Sequence, residues 1–212
     1  MATKTPRNPR PRGRPRNDAV DRPSVDGILD AAERVFAAQG FGRTSLRALI
    51  EASQMSTTAF YARFDSKDAV LAALVERVVA SIASAFLATT AQARDLATGF
   101  DLGVDALVDA LGRHRAVVRV ALGEGAGSAP VRTTLLTGYQ QLAALLSASL
   151  QVVIDRGRLA SFDVDALAWA LVGALQIHVV RWAVFDDLDD AGLRGALRAT
   201  AKTLLPTRPA EP

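Results

Sequence analysis

Cysteine is absent from the 212 residues, histidine occurs twice, and aromatic side chains make up only 6% of the chain. The missing thiols exclude disulfides, thiolate zinc sites and cysteine nucleophiles, and they fit a reducing compartment. His114 and His178 are the only imidazoles, too few for a histidine-rich metal site. No metal or other cofactor is expected. The N-terminus has no apolar core of a secretory signal, and no stretch of about 18 residues is free of charge and strong polarity. The nearest candidate, "ALAWALVGALQIHVVRWAVF" from Ala166 to Phe185, is interrupted by Gln176, His178 and Arg181. An arginine within a span is costly, so this stretch reads as a helix buried within protein. A cytoplasmic location without a membrane partner is expected.

Acid is missing from one place in particular. Residues 1–17, which include "PRPRGRPR", carry Lys4, Arg7, Arg10, Arg12, Arg14 and Arg16, four prolines and no carboxylate. The remaining 195 residues hold 19 basic and 22 acidic side chains, so a segment of +6 precedes a body of −3. Such a segment has too little apolar surface to offset ordering entropy, but its charge suits phosphates. The body is different: with half the chain apolar, there is material for one sizeable core or two small domains.

Alanine and leucine dominate, and apolar positions recur at helical spacing almost everywhere after Val25. The fold class is therefore all-α, with about nine helices and no fixed-period repeat. The first runs from about Val25 to Gln39, ended by Gly40 with Phe41 as the hydrophobic contact that accompanies such a cap. Two short helices follow, about Ser45–Ser53 with Thr44 as cap and about Thr57–Phe64 with Ser56 as cap. A long helix from Asp65 or Ser66 reaches about Thr90. Further helices are expected near Leu102–Leu111, Arg113–Leu122, Pro130–Arg156, Val164–Phe185 and Asp189–Leu204, with breaks at "ATGFDLG", "GEGAGSAP", "DRGRLASFD" and "FDDLDD".

Two short helices separated by "SQMS" meet the needs of a helix-turn-helix. Phe60 and Phe64 lie four apart and share the core face of the second helix. Thr58, Tyr61 and Ala62 project the other way, flanked by Thr57 and Ala59. Small and hydroxyl-bearing residues on that face can approach bases, and Tyr61 can reach a phosphate.

The segment Ile28–Leu74, "ILDAAERVFAAQGFGRTSLRALIEASQMSTTAFYARFDSKDAVLAAL", resembles the DNA-binding region of the tetracycline-repressor (TetR) family of bacterial transcription regulators. The ordered series Ala32, Phe36, Gly40, Phe41, Thr44, Ser45, Arg47, Ser56, Tyr61, Phe64 and Lys67 carries the likeness. The resemblance implies that Thr44 and Ser45 contact phosphate at a helix N-terminus, and that Arg47 reaches a base. It also implies that Thr57, Thr58 and Ala59 read the major groove, that Tyr61 grips the backbone, and that Lys67 adds a cation to phosphate. Three residues depart from the family pattern. Gln54 stands at the turn position usually held by glycine and must accept a left-handed conformation, at a cost of order 1 kcal/mol. Thr57 replaces a commonly basic residue and Ala62 a commonly larger one, so the groove face is less basic than usual.

The basic arm offers compensation. Arg12-Gly13-Arg14-Pro15 is the core of an AT-hook. Glycine allows close approach to the groove floor, proline keeps the chain extended, and Arg12, Arg14 and Arg16 follow the negative potential of a narrow minor groove. Homeodomain arms make such contacts beside a major-groove helix.

The expected organisation is a basic arm over residues 1–23, a three-helix DNA-binding domain over 24–65, and a helical ligand-binding and dimerisation domain over 66–212. Phe86, Tyr139, Trp169, Gln176, His178 and Trp182 are candidates to line an effector pocket, since aromatic walls with a few polar groups typify small-molecule sites. By order, the last two long helices correspond to the family's four-helix dimer interface, and Ala166, Ala168, Ala170, Gly173 and Ala174 permit close approach. The expected partners are double-stranded DNA, an unnamed small-molecule effector and a second copy of the chain, the whole acting as a ligand-responsive repressor on a palindromic operator. Activation of transcription, or ligand-independent architectural binding, are the alternatives.

Catalysis is not expected. "GEGAGS" lacks the preceding strand and following Lys-Ser/Thr of a phosphate loop, and Ser128 lacks the setting of a hydrolase nucleophile. Asp186, Asp187, Asp189 and Asp190 fall in a turn, where they suit helix capping.

Overall fold

The computed structural model describes residues 25–90, 96–156 and 162–205. Arg12, Arg14 and Arg16, and with them the AT-hook expectation, lie outside the described residues. Those described form helices α1 (Val25–Gln39), α2 (Leu46–Ser53), α3 (Thr57–Tyr61), α4 (Lys67–Thr90), α5 (Leu96–Arg113), α6 (Arg115–Leu122), α7 (Ala129–Asp155), α8 (Val164–Ala183) and α9 (Asp190–Leu204). A 3₁₀ turn, Glu124–Gly127, joins α6 to α7. Among these residues no strand occurs, and the expected all-α class with its nine helices holds.

The first three helices make a small head. Helix α1 turns Ile28, Leu29, Ala32 and Phe36 inward, where they meet Leu49 of α2, Phe60 of α3 and Leu71 and Leu74 of α4. Gly40 ends α1 with φ +74°, and its N–H donates to the Phe36 carbonyl at 2.9 Å, as the glycine stop required. Phe41 then folds back onto Phe36 with ring centroids 5.6 Å apart.

The remaining helices form a bundle in which α4 packs on α5 and α7, α7 on α8, and α8 and α5 on α9. Helix α5 begins at Leu96, earlier than expected, and runs through the "ATGFDLG" segment anticipated as a break. Two glycines within it cost roughly 1 kcal/mol each. Phe100, Val104, Val108 and Leu111 continue the apolar stripe through the segment and place it against the core, which outweighs that cost.

Side-chain ionic contacts tie the bundle together. Asp101, Asp105 and Asp109, spaced by four along α5, face Arg194 and Arg198 of α9; Arg198 bridges Asp101 and Asp105 at 3.2 and 2.7 Å, and Arg194 bridges Asp105 at 3.1 Å and also holds Asp109. At the end of α8, Arg115 and Arg119 of α6 donate to the carbonyls of Trp182 and Ala183, each at 2.7 Å, and both reach Asp186. These are the carbonyls a helix C-terminus leaves without intrahelical partners. The fully buried Trp182 lies under the Arg115 guanidinium, and its indole N–H donates to Asp190 at 2.8 Å.

Two helices, α4 and α8, are long and apolar enough to cross a membrane by length and composition. Both supply the bundle core, with Leu71 and Leu74 from α4 and Trp182 and Ala183 from α8.

Candidate nucleic-acid interface and effector cavity

Each helix of the turn motif is started by a serine. Ser45 accepts from the Ala48 N–H at 3.2 Å, and Ser56 accepts from the Ala59 N–H at 3.2 Å. The cap of α2 is thus Ser45, one residue after the expected Thr44, whose hydroxyl is turned inward to donate to the Gly40 carbonyl at 2.6 Å. At 2% exposure, Thr44 does not offer its side chain to a phosphate, whereas Ser45 is exposed.

Between the helices, Gln54 has φ 56° and ψ 22°, the left-handed conformation its turn position demanded. Its N–H donates to the Glu51 carbonyl at 3.2 Å. Buried Ser53 closes the same turn by donating to the Ile50 carbonyl at 2.8 Å. Helix α3 ends at Tyr61 rather than near Phe64. The next residues tighten, with the Arg63 N–H donating to the Phe60 carbonyl at 2.9 Å, so that the chain can turn into α4.

Phe60 is completely buried and packs on Phe64 with centroids 5.9 Å apart. The opposite face presents Thr57, Thr58 and Tyr61, all exposed, with Ala59 half-buried beside them. Arg47 has its side chain 88% exposed and, among the described residues, pairs with Glu51 at 2.8 Å, one turn along α2. Glu51 raises the guanidinium pKa still further through a hydrogen bond and its charge, and this solvent-screened pair can open without leaving a buried charge. Arg63 is exposed at the end of the same face. It was missed in the sequence because the expected helix ran on to Phe64, which left Arg63 as one more residue of its last turn beside the core position Phe64.

Lys67 does not project freely. Its ammonium donates to the carbonyls of Phe41 and Thr44 at 2.8 and 3.1 Å and, more weakly, to that of Gly42 at 3.4 Å, and it lies 4.5 Å from the Phe41 ring centre. In this structure it clamps the α1–α2 turn onto α4. From the other side, Glu124 of the 3₁₀ turn accepts from the Gly42 N–H. A second joint lies nearby: Arg77 of α4 donates to Asp30 and Glu33 of α1, both at 2.6 Å, and His114, between α5 and α6, meets Glu33 at 3.1 Å.

Inside the bundle, two adjoining cavities offer about 90 and about 70 Å³ of free space. Ile82, Leu107, Leu142 and Leu175 line both and form the wall between them. The first lobe includes Phe86, Phe100, Gly103 and Thr200; the second includes Tyr139 and Gln176. The Tyr139 hydroxyl donates to Gln176 Oε1, and burial pushes the phenol pKa up to about 12.

Of the six expected pocket residues, then, Phe86, Tyr139 and Gln176 line these lobes. Trp169 stands 46% exposed on the outside of α8, Trp182 is core, and His178 lies behind Thr200, its Nε2 3.1 Å from that hydroxyl. Burial and neighbouring Arg181 lower the His178 pKa. Thr200, which shares a lobe with Phe86, was not singled out because a threonine on a polar helix carries no distinguishing pattern.

The model of the bacterial regulatory proteins of the tetR family matches residues 28–74. The HTH-type transcriptional regulator EthR of Mycobacterium tuberculosis is 31% identical over 149 residues, which cover 68% of this chain and 69% of that protein. Among solved structures, a protein from Syntrophomonas wolfei described as a TetR-family transcriptional regulator superposes with a TM-score of 0.77 at 20% identity, covering 85% of this chain and 93% of its own. The TetR-family repressor FadR of Thermus thermophilus, solved with lauroyl-CoA, gives a TM-score of 0.68 at 20% identity, covering 89% of this chain and 100% of its own.

Proposed function

Because the chain belongs to the tetR family of bacterial regulatory proteins, whose members are transcription regulators and not enzymes, we propose that it is a ligand-responsive repressor binding a palindromic operator as a homodimer in the cytoplasm. The observation that carries this reading is the two-sided packing of α3. Phe60 is sealed in the core while Thr57, Thr58 and Tyr61 face outward with Arg47 and Arg63 exposed beside them. Such a helix offers base contacts at its start and a backbone grip at its end. Ser45 adds a phosphate contact at the start of α2. Residues 1–23 act as a basic arm carrying Arg12, Arg14 and Arg16 to the minor groove, residues 24–65 as the DNA-binding domain, and residues 66–212 as the effector and dimerisation domain.

The dimer is supported by the outer faces of the last two helices. On α8, Ala166, Trp169, Ala170, Gly173 and Ile177 are exposed; on α9, Ala191, Gly195 and Ala199 are exposed at a spacing of four. A methyl group added at Gly173 or Gly195 would meet nothing within 4 Å in its own chain. Apolar and small residues on two adjacent helices suit isologous packing against a second copy. Ala168 was expected on that face but is fully buried, and Ala174 lines the first lobe.

The structural neighbour from Thermus holds an acyl-CoA, and the lobes beside α4 are where an effector would act in this chain. An effector favouring one conformation shifts α4, and with it the head, in proportion to its unequal affinity for the two states.

The test is binding to DNA flanking the chain's own gene and to an unrelated duplex of equal length, at several salt concentrations, for the full chain and a form starting at Ser24. Preference for the flank, with lower affinity and lower salt slope after truncation, is the expected result. Equal binding to both duplexes would favour an architectural role.

A further inference from the structure

We infer that the effector is an uncharged, elongated and mainly hydrocarbon molecule, which parts the wall between the two lobes and sets its one polar group against Tyr139 and Gln176. This rests on the reading of the lobes as the effector site, and it adds the chemical class.

The lining decides the class. Neither lobe carries an Asp, Glu, Lys or Arg among its described walls. An ionised carboxylate, phosphate or ammonium placed there would lose its hydration without gaining a counter-charge, a penalty that excludes it as a tight ligand. The polar groups that do face the lobes are neutral. Thr200 stands in the first and the hydrogen-bonded Tyr139 and Gln176 stand in the second. The raised phenol pKa keeps Tyr139 protonated throughout the physiological range. A hydroxyl on the ligand can insert into the Tyr139–Gln176 pair, accepting from the phenol and donating to Gln176 Oε1, without leaving either side chain unpartnered.

The shape decides the rest. Each lobe by itself has room for only a small apolar group. The partition between them consists of Ile82, Leu107, Leu142 and Leu175, whose flexible side chains can turn aside and join the lobes end to end. A chain threaded through both passes Ile82, which lies on α4 and whose β-branched side chain has fewer rotamers to yield into than the three leucines. Occupancy is thereby converted into pressure on the helix that carries the DNA-binding head.

The experiment is calorimetric titration of the full-length protein, without DNA, using dodecanol, dodecanoate and dodecyltrimethylammonium below their micellar concentrations. Dodecanol is expected to bind at least about tenfold more tightly than either ion. Gly103 lines the first lobe, and a Cβ there would sit 3.6 Å from Phe86, an ordinary contact. Gly103→Leu is therefore expected to weaken dodecanol by at least about tenfold, with the better tolerated Gly103→Ala weakening it less. Tyr139→Phe should weaken the alcohol several-fold. If either ion binds as tightly as the alcohol, the uncharged class is overturned while the effector reading stands. If none of the three binds and Gly103→Leu raises the melting temperature, the lobes are packing space, and both the class and the effector reading fail.

Discussion

Glu124 accepts a hydrogen bond from the backbone N–H of Gly42 at 2.6 Å, across 82 residues of sequence. The contact joins the turn after α6, deep in the bundle's connectivity, to the turn that sets α2 at its angle. A carboxylate acceptor makes it a charge-assisted bond.

Removing that acceptor by Glu124→Ala is expected to lower stability by about 1–2 kcal/mol in urea denaturation. Gly40 is coupled to the same side chain, since a Cβ there would lie 2.8 Å from Glu124 Oε1. Gly40→Ala should cost about 1–2 kcal/mol from its positive φ alone, with the clash added. In the double variant the clash term disappears and the φ term remains, so the two changes should be non-additive. Strict additivity would show that the carboxylate simply moves aside.

Lys67 and Arg63 separate a clamp from a phosphate contact. Lys67→Met should destabilise the protein by about 1–3 kcal/mol, because it removes a cation from three carbonyls, and should leave the salt slope of DNA binding unchanged. Arg63→Ala should do the reverse, with stability nearly constant and a salt slope smaller by about 1. A reduced slope in the lysine variant would return Lys67 to the DNA.

Gln54 holds a left-handed conformation without the freedom of glycine. Gln54→Gly should therefore gain about 0.5–1 kcal/mol, the relieved backbone strain outweighing the added entropy of the unfolded chain. Thermal unfolding of the two forms gives the comparison, and a lower midpoint for the glycine form would mean that the turn is not strained.

Burial pushes the phenol of Tyr139 up to about 12 in the folded chain, against about 10 when unfolded. The folded state therefore retains a proton that the unfolded state gives up. The stabilising contribution is fully present below pH of about 10 and falls as pH rises toward 12. In a Tyr61→Phe background, the ultraviolet absorbance of the remaining phenolate should rise with a midpoint near 12. Tyr139→Phe should flatten the alkaline loss of stability.

Ile177 is 53% exposed on the outer face of α8. Placing a charge there by Ile177→Glu should convert the proposed dimer to monomer in sedimentation analysis, without changing the helical circular dichroism, and should weaken operator binding sharply. A dimer that survives this change would place the interface elsewhere.

The head was legible in sequence because its rules are local. Gly40 followed by Phe41 marked the stop of α1, the spacing of Phe60 and Phe64 marked the core face of α3, and the position of Gln54 in its turn announced its conformation. What escaped was decided by distant partners. Lys67 carries the right chemistry for phosphate, yet the carbonyls that hold it come from the folded α1–α2 turn. The early start of α5 was hidden by glycines whose cost is met by burial in another part of the chain. Aromatic residues at helical spacing serve core, surface and cavity alike, so Trp182, Trp169 and Phe86 could be told apart only by which neighbour each helix face meets. The aspartates at 101, 105 and 109 were visible as a spacing, but their arginine partners on α9 lie more than 80 residues away.

Helix α4 can be regarded mechanically, as a rod with a load at each end. Lys67 at its first turn and Ile82 beside the cavity are separated by roughly 22 Å of helix rise. With the fulcrum near Ile82, a tilt of roughly 5° displaces the Lys67 end by roughly 2 Å over that arm. Because the ammonium of Lys67 grips the α1–α2 turn by its carbonyls, the rod cannot swing without hauling α2 and α3 along with it. The lysine is the coupling pin of the lever, and a small rotation of α4 about the cavity is a larger displacement at the head.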